Sequence, residues 1–201
     1  MPLTREQIVE GALALLDEVG VDALTMRKLA ERLGVRAGAL YWHYPGKQQL
    51  MAALAEAVLS ASSPAALPGD WRAQVTGRLR ALRRSLLAHR DGARVFAGTF
   101  VAEPNTLALG EALVGALREA GLGKRDAAWA AQGLSYFVIG AVIEEQAAEG
   151  TEPTPLTSRL DAVAHRHLIA VAKSFTSRDY ETRFRFGLEL MLDGIAARIT
   201  R

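Results

Sequence analysis

Apolar residues recur every three to four positions along nearly the whole chain, and runs of β-branched residues are rare. This period predicts helices with one buried face each, whereas alternation of apolar and polar residues would predict strands. The pattern therefore predicts an all-α fold. Breaks at glycine, proline and polar clusters divide the chain into helices expected over residues 4–20, 26–33, 37–44, 47–60, 71–89, 93–99, 105–120, 124–148, 158–173 and 180–199.

Capping residues and glycines support the predicted ends of the first helices. Thr4 and Gln7 match a capping box at the start of the first helix, and Gly20 is suited to end that helix. Thr25 stands where it can cap the second helix, and Gly34 marks a tight turn before the third. A compact group of short helices is therefore expected at the N-terminus.

Two segments rich in small residues and proline, 60–69 and 149–157, predict linkers. The first would separate a head, residues 1–60, from a larger body, residues 61–201. In the body, the helix expected over 124–148 is apolar on nearly every side of its middle. Such a helix cannot face water over much of its girth, so we expect it to be buried in the subunit or against a partner chain.

The composition narrows the classes of protein. There is no cysteine, which excludes disulfides and thiolate metal sites and favours a reducing cytoplasm. The N-terminus lacks the basic start and apolar run of a signal peptide. Apolar stretches such as 134–143 are much shorter than the ~20 residues that cross a membrane, so no membrane partner is expected.

Enzyme signatures are missing from the sequence. It has no dinucleotide-binding or phosphate-binding glycine loop, no serine-hydrolase elbow and no zinc-protease helix pattern. The four histidines have no acid or nucleophile partner at useful spacing. We therefore expect no catalytic site, no metal site and no cofactor.

The net charge of +2 does not by itself indicate a nucleic-acid partner, but the positions of the basic residues do. Between residues 24 and 50, Glu31 is the one acidic residue, while five are basic, a cluster suited to a phosphate backbone. The helix over 71–89 is expected to present an arginine-rich face to solvent. The basic residues of the two regions are Arg27, Lys28, Arg32, Arg36 and Lys47, and Arg72, Arg78, Arg80, Arg83 and Arg84.

By spacing alone, residues 26–44 form a helix-turn-helix, in which the second helix must be short and begin with small or polar residues to enter a major groove. Ala37 and Ala39 could contact thymine methyl groups, and Arg36 a guanine edge or a phosphate. Gly38 weakens the helix, a cost that close approach of the backbone to DNA would justify. An ordinary solvated helix pair remains the alternative.

The stretch LTMRKLAERLGVRAGALYWHYPGKQQLMAALAEAVL strongly resembles the head of the tetracycline-repressor family of bacterial regulators. The resemblance implies a three-helix DNA-binding head in which Leu40 anchors the recognition helix. Tyr41 and Trp42 could instead be core aromatics, and His43 a solvent-exposed helix end. The operator contacts that the resemblance implies are Thr25 and Arg27, then Arg36, Ala37, Gly38 and Ala39 at the bases, and Tyr41, Trp42, His43 and Lys47 at the sugar-phosphate backbone.

The body contains HRDGARVFAGT (89–99) and SYFVIGAVIEEQ (135–146), which resemble the tetracycline-repressor subclass. The resemblance implies that the helices over 124–148 and 180–199 form a four-helix bundle at a two-fold dimer interface. Two heads would then reach successive major grooves of a palindromic operator, ~34–36 Å apart. The alternative is that both helices belong to the core of one chain.

The resemblance also implies an effector pocket inside the body. Its apolar walls suit a partly aromatic small molecule, although its aromatic residues could simply fill the core. In the subclass a histidine at the position of Phe96 binds a drug–magnesium complex; because phenylalanine cannot ligate a hard cation, that effector is not expected here. Glu144 could meet a cationic or hydroxylated ligand, or be a surface acid. The implied lining residues are Ser63, Arg78, Leu82, Phe96, Thr99, Phe100, Ala112, Tyr136 and Glu144.

The expected function is therefore a ligand-responsive repressor that binds double-stranded DNA as a homodimer. Effector binding would move the helix over 93–99 against the helix over 47–60, and the heads would leave the operator. The alternative is a dimeric DNA-binding regulator without small-molecule induction.

Overall fold

A computed structural model describes residues 3–60, 67–97, 102–152 and 156–199 of the chain. These residues form ten α-helices, one short 3-10 helix and no strand, which confirms the all-α prediction. The helices are α1 (Arg5–Ala23), α2 (Met26–Leu33), α3 (Ala37–His43), α4 (Lys47–Ser60), α5 (Trp71–Leu87), α6 (Gly92–Ala97), α7 (Pro104–Glu119), α8 (Lys124–Ala147), α9 (Arg166–Phe175) and α10 (Tyr180–Ile199).

The predicted caps of the first helices are present. The Thr4 hydroxyl accepts a hydrogen bond from the Gln7 amide at 3.2 Å, and the Gln7 side chain accepts one from the Thr4 amide at 3.0 Å. Thr25 accepts from the Lys28 amide at 3.2 Å and so caps α2. Gly34 adopts the left-handed conformation, φ 66°, where α2 ends. These local contacts set the tight turn that leads into α3.

The end of α1 differs from the prediction. Gly20 has a positive φ of 76°, as a helix-ending glycine would, but α1 continues for one short turn to Ala23. A Cβ at Gly20 would lie 2.8 Å from Oδ2 of Asp91. The glycine is therefore needed for two reasons, its backbone conformation and the close approach of the body.

The prediction of a helix over 158–173 is wrong in its first half. A 3-10 helix, Leu156–Arg159, and a series of turns precede α9, which begins at Arg166. The Asp161 carboxylate accepts hydrogen bonds from the amides of Val163 and Ala164, at 2.9 and 2.7 Å. This side chain competes with the helical hydrogen bonds and holds the chain in a turn.

Two hydrophobic cores lie along the molecule, one formed mainly by α1–α4 and one by α5, α7, α8 and α10 with the end of α4. Val95 of α6 is fully buried in the first core, and Phe96 packs against both. The short helix α6 therefore joins the cores. Fully buried leucines include Leu16, Leu29, Leu40 and Leu54 in the first core and Leu79, Leu82, Leu113 and Leu134 in the second.

The arginine-rich face predicted for α5 is only partly present. Arg80 and Arg84 are exposed, but Arg78 and Arg83 are each only 8% exposed. The prediction is wrong for these two because α5 packs against α4, α6, α7 and α8, which leaves it little free surface.

The long helix α8 is buried along one stripe of small and branched residues, while Trp129 and Tyr136 on its other faces are each 64% exposed. One subunit therefore does not bury α8 on all sides. Of the two expectations for this helix, burial against a partner chain remains for its exposed faces. The helix α8 is long and apolar enough to cross a membrane, a property that core helices of soluble proteins share. The expectation that no segment crosses a membrane stays a prediction. The buried stripe is Ala127, Ala131, Leu134, Val138 and Val142.

Candidate DNA-binding surface and effector site

The helix α3 is attached to the head by one side chain. Leu40 is its sole fully buried residue, at 0% exposure, and it packs in the core formed by α1–α4. Trp42 is 87% exposed and Tyr41 48% exposed, so the alternative that these are core aromatics is wrong. A short helix that places large aromatic side chains in water has the form of a contact surface.

The N-terminal end of α3 is open. Arg36 is its N-cap residue and makes no side-chain capping bond. Arg36, Gly38 and Ala39 are exposed, and Ala37 is half-buried. A Cβ added at Gly38 would meet no atom within 4 Å, so no close contact within the described protein requires a glycine there. The small side chains and the uncapped helix end leave room for an approaching nucleic acid.

The neighbouring cations are exposed and weakly held. Arg27 forms an ion pair with Glu31 at 3.6 Å, one turn along α2. Such exposed pairs contribute only ~0.3–0.5 kcal/mol, so Arg27 can exchange its partner easily. Lys47, the first residue of α4, donates to the carbonyl oxygen of Val21 at 3.2 Å. Thr25 is exposed beside them.

The C-terminal end of α3 is fixed from α1. Arg5 donates to the carbonyl oxygen of His43 at 3.1 Å, and its guanidinium lies over the Tyr44 ring, 5.4 Å from its centre. His43 is half-buried, and burial raises the pKa of the Tyr44 phenol. The sequence analysis missed Arg5 and Tyr44 as supports. The contact from Arg5 spans 38 positions and has no local signal.

Of the residues assigned to the effector pocket, those that the structure describes lie partly inside the body and partly on its surface. Arg78 and Leu82 lie one turn apart on α5 inside the body, and Phe96 is half-buried between the two cores. Tyr136 and Glu144 are instead exposed on α8, so this chain alone does not enclose them. Ala112 is half-buried on α7, and Ser63, Thr99 and Phe100 lie outside the described residues.

The corner before α6 holds the end of α1 through polar contacts. Asp91, a non-glycine residue with φ 57°, accepts a hydrogen bond from the Val21 amide at 2.9 Å. Arg94 makes two bonds to Asp22, at 2.9 and 3.0 Å, which lower the pKa of that carboxyl group. Asp17 accepts from the Arg90 amide at 2.9 Å. We call Asp17, Asp22, Asp91 and Arg94 the α1–α6 joint.

A second link ties α4 to the body. The Glu56 carboxylate accepts hydrogen bonds from the backbone amides of Asn105 and Thr106, at 2.5 and 3.2 Å, and so caps the start of α7. The sequence analysis missed this link as well, because the partners are 49 and 50 positions apart. Among the described residues, the head and the body are thus joined by polar contacts at the α1–α6 joint and at Glu56, besides the packing of α6 on α4.

Two family models together match most of the chain, and both describe the same family of proteins. Residues 8–54 match the family model of bacterial regulatory proteins of the tetR family, and residues 63–199 match the tetracyclin repressor-like C-terminal domain. The chain is 42% identical over 194 residues to the tetracycline repressor protein class A from transposon 1721 of Escherichia coli. That alignment covers 95% of this chain and 89% of the relative.

Two solved structures from Streptomyces coelicolor have the same fold. A possible TetR family transcriptional regulator of strain A3(2) is 45% identical, with a TM-score of 0.89, and the match covers 96% of this chain and 99% of that chain. ActR in complex with actinorhodin is 34% identical, with a TM-score of 0.89, over 100% of both chains.

Proposed function

The chain belongs to the TetR family of bacterial transcriptional regulators, and from this premise we propose that it is a repressor released from a palindromic operator by a small molecule. Proteins of this family are ligand-responsive DNA-binding regulators, not enzymes. The proposal divides the chain into a DNA-binding head, residues 1–60, and a ligand-binding and dimerisation body, residues 61–201. A repressor acts on the chromosome, which would place the protein in the bacterial cytoplasm.

The observation that carries the proposal is the form of α3. Its buried Leu40 holds it in the head while its open N-terminal end and exposed aromatic residues face outward. In the proposed complex that end enters the major groove and reads base edges. Flanking cations and aromatic side chains hold the sugar-phosphate backbone and fix the register. The proposed contacts are Thr25, Arg27, Arg36, Ala37, Gly38, Ala39, Tyr41, Trp42, His43 and Lys47.

Exposed apolar side chains on the body support a homodimer. Phe186 and Leu190 of α10 are 66% and 58% exposed, on the helix that packs beside α8 with its exposed Trp129 and Tyr136. A groove of about 420 Å³ runs between the two helices. Large apolar side chains exposed on two packed helices are typical of a surface that binds another protein. A second subunit that adds its own α8 and α10 would complete a four-helix bundle.

The helix α9 gives independent support for the dimer. None of its residues is buried in its own chain, and Phe175 is 60% exposed. Its apolar stripe has no core to join among the described residues. A partner subunit would supply that core.

Release requires the effector to prefer the conformation in which the heads are not spaced for DNA, by a coupling of ~1–3 kcal/mol or more. The short helix α6 is suited to transmit the change, because Val95 lies in the head core and Phe96 contacts both cores. The complex of the relative ActR with actinorhodin supports a small-molecule effector. Phe96 offers no metal ligand, so the proposal involves no metal.

The test begins with the selection of binding sites from random DNA duplexes by the purified protein. We expect a palindrome with two half-sites about one helical turn apart, bound by a dimer with affinity that falls steeply with salt. A monomeric protein without preference for any palindrome would contradict the proposal.

Titration of aromatic small molecules into the complex with that palindrome tests induction. A compound that releases the DNA supports the inducible repressor. Release by no compound would favour the alternative function, a dimeric DNA-binding regulator without an effector.

A further inference from the structure

The two buried arginines of α5 differ in how their charges are balanced. Arg83 pairs with Glu145 at 2.7 Å and with Glu181 at 2.8 Å, and its guanidinium lies 5.1 Å from the centre of the Phe184 ring. The charge of Arg83 is therefore compensated within the chain, although its exposure is as low as that of Arg78, 8%.

Arg78 has no such partner. Its guanidinium donates to the backbone oxygen and the side-chain oxygen of Gln74, at 3.1 and 3.4 Å, and its buried Nε, like that of Arg83, has no hydrogen-bond partner. In the parts of the chain that the structure describes, no carboxylate lies within 4.0 Å of it. The segments 61–66, 98–101 and 153–155 contain no aspartate or glutamate that could supply one.

This placement is unfavourable for the ligand-free protein. Removing the charged guanidinium of an arginine from water costs free energy unless a polar or charged partner replaces the water. Apart from Gln74, its near neighbours along α5 include the fully buried apolar residues Val75, Leu79 and Leu82. A buried cation without a counter-charge destabilises a fold, and buried charges in proteins are normally paired. The missing partner is thus expected to come from outside the chain.

We propose that the effector carries an anionic group, a carboxylate or an acidic phenol, that pairs with Arg78. This inference rests on the proposed function, since it places the effector in the body, and it adds the chemical class of the ligand. The planar guanidinium presents parallel donors that match a carboxylate. Leu82, one turn along α5 and fully buried in the body core, would contact the aromatic part of the same molecule. Glu144, the one acidic residue assigned to the pocket, is exposed and forms no ion pair with Arg78 within this chain.

The first test compares Arg78→Met with Arg83→Met in thermal unfolding without ligand. Arg83→Met leaves two glutamates without their partner, so its Tm should fall by several degrees. Arg78→Met removes an uncompensated charge and keeps the apolar stem, so its Tm should stay equal to that of the wild type or rise. An equal fall in both variants would show that Arg78 is structural, and would overturn the proposal.

The second test uses anthraquinone-2-carboxylate and its neutral analogue, anthraquinone-2-carboxamide, as probes in calorimetric titration. We expect the acid to bind the wild type at least tenfold more tightly than the amide. The preference should disappear in Arg78→Met and persist in part in Arg78→Lys. Equal binding of acid and amide, binding of neither, or a preference that survives in Arg78→Met would each overturn the proposal.

Release of the selected palindrome is measured separately, so the anion site at Arg78 and the induction of the repressor can each be contradicted without the other. If the acid binds through Arg78 without releasing DNA, the anion site stands and induction by that ligand does not. If neutral compounds release DNA equally from the wild type and Arg78→Met, induction stands and the anion site is wrong.

Discussion

The head and the body differ in how completely one chain buries apolar side chains and pairs buried charges. In the head, Leu40 and its neighbours form a closed apolar core, and the exposed residues of α3 are those that DNA could use. In the body, large apolar residues of α8 and α10 are left outside, and the uncompensated charge of Arg78 is left inside. We infer that the exposed apolar residues are covered by a second subunit. We infer that the buried charge of Arg78 is paired with a bound anion. The head is thus complete in one chain, whereas the body is not.

The largest effect is expected from substitutions that disrupt the proposed dimer interface of the body. The double substitution Phe186→Asp and Leu190→Asp places charges on the exposed face of α10, where they would be buried in a dimer. We expect a folded monomer, measured by sedimentation, and an operator affinity lower by ~10²–10⁴-fold because two linked half-site contacts become one.

Leu107 of α7 supplies the matched control. It is 57% exposed, close to the 58% of Leu190, but lies outside the proposed bundle. Leu107→Asp should leave both the dimer and the operator affinity unchanged. A dimer that persists in the double variant, or is lost in the control, would place the interface elsewhere.

Within the head, two residues of α3 separate fold from function. Leu40→Ala should lower the free energy of unfolding by ~2–5 kcal/mol, because it leaves a cavity in a closed core. Trp42→Ala should change that free energy by no more than ~0.5 kcal/mol and still weaken operator binding. Urea unfolding and operator titration of both variants provide the measurement. A large loss of stability in Trp42→Ala would mean that this exposed ring supports the fold.

The same contrast explains what could be predicted from the sequence. The turn between α2 and α3 depends on contacts among near neighbours, such as Thr25 with Lys28, so its signals are local. The α1–α6 joint connects residues about 70 positions apart, such as Val21 and Asp91, and no local pattern indicates it. The helical period over 158–173 is real, but it cannot reveal that Asp161 captures two backbone amides.

The effector site was the least predictable part. Arginine is usually a surface residue, so helical periodicity placed Arg78 and Arg83 on an outer face of α5. Their burial follows from the packing of four helices around α5, which is tertiary information. Family resemblance assigned Arg78 to the pocket, but the structure shows that Arg78 bonds only Gln74, whereas Arg83 pairs with two glutamates.

A smaller effect tests whether Lys47 of the head contacts phosphate. Lys47→Ala should weaken binding to all duplexes alike and reduce the slope of log affinity against log salt by about 1. Lys124, which is also exposed and is the first residue of α8, is the control, and its substitution by alanine should leave the slope unchanged. An unchanged slope in Lys47→Ala would remove this residue from the DNA surface.

The smallest effect concerns the α1–α6 joint, where head and body meet. The hydrogen bond from Arg94 lowers the pKa of Asp22 below its ordinary value of 3.8, so the ionised carboxyl group stabilises the folded joint. That contribution is present above pH 3.8 and is lost as the pH falls through the lower folded value. Asp22→Asn should therefore speed hydrogen exchange at the Val21 amide at neutral pH and match the wild type in acid. Asp161, whose lowered pKa comes from the amides of Ala164 and Val163, is the control, because Asp161→Asn should not affect Val21 at any pH. A difference between Asp22→Asn and the wild type that is equal at every pH would mean that ionisation of Asp22 does not contribute to the joint.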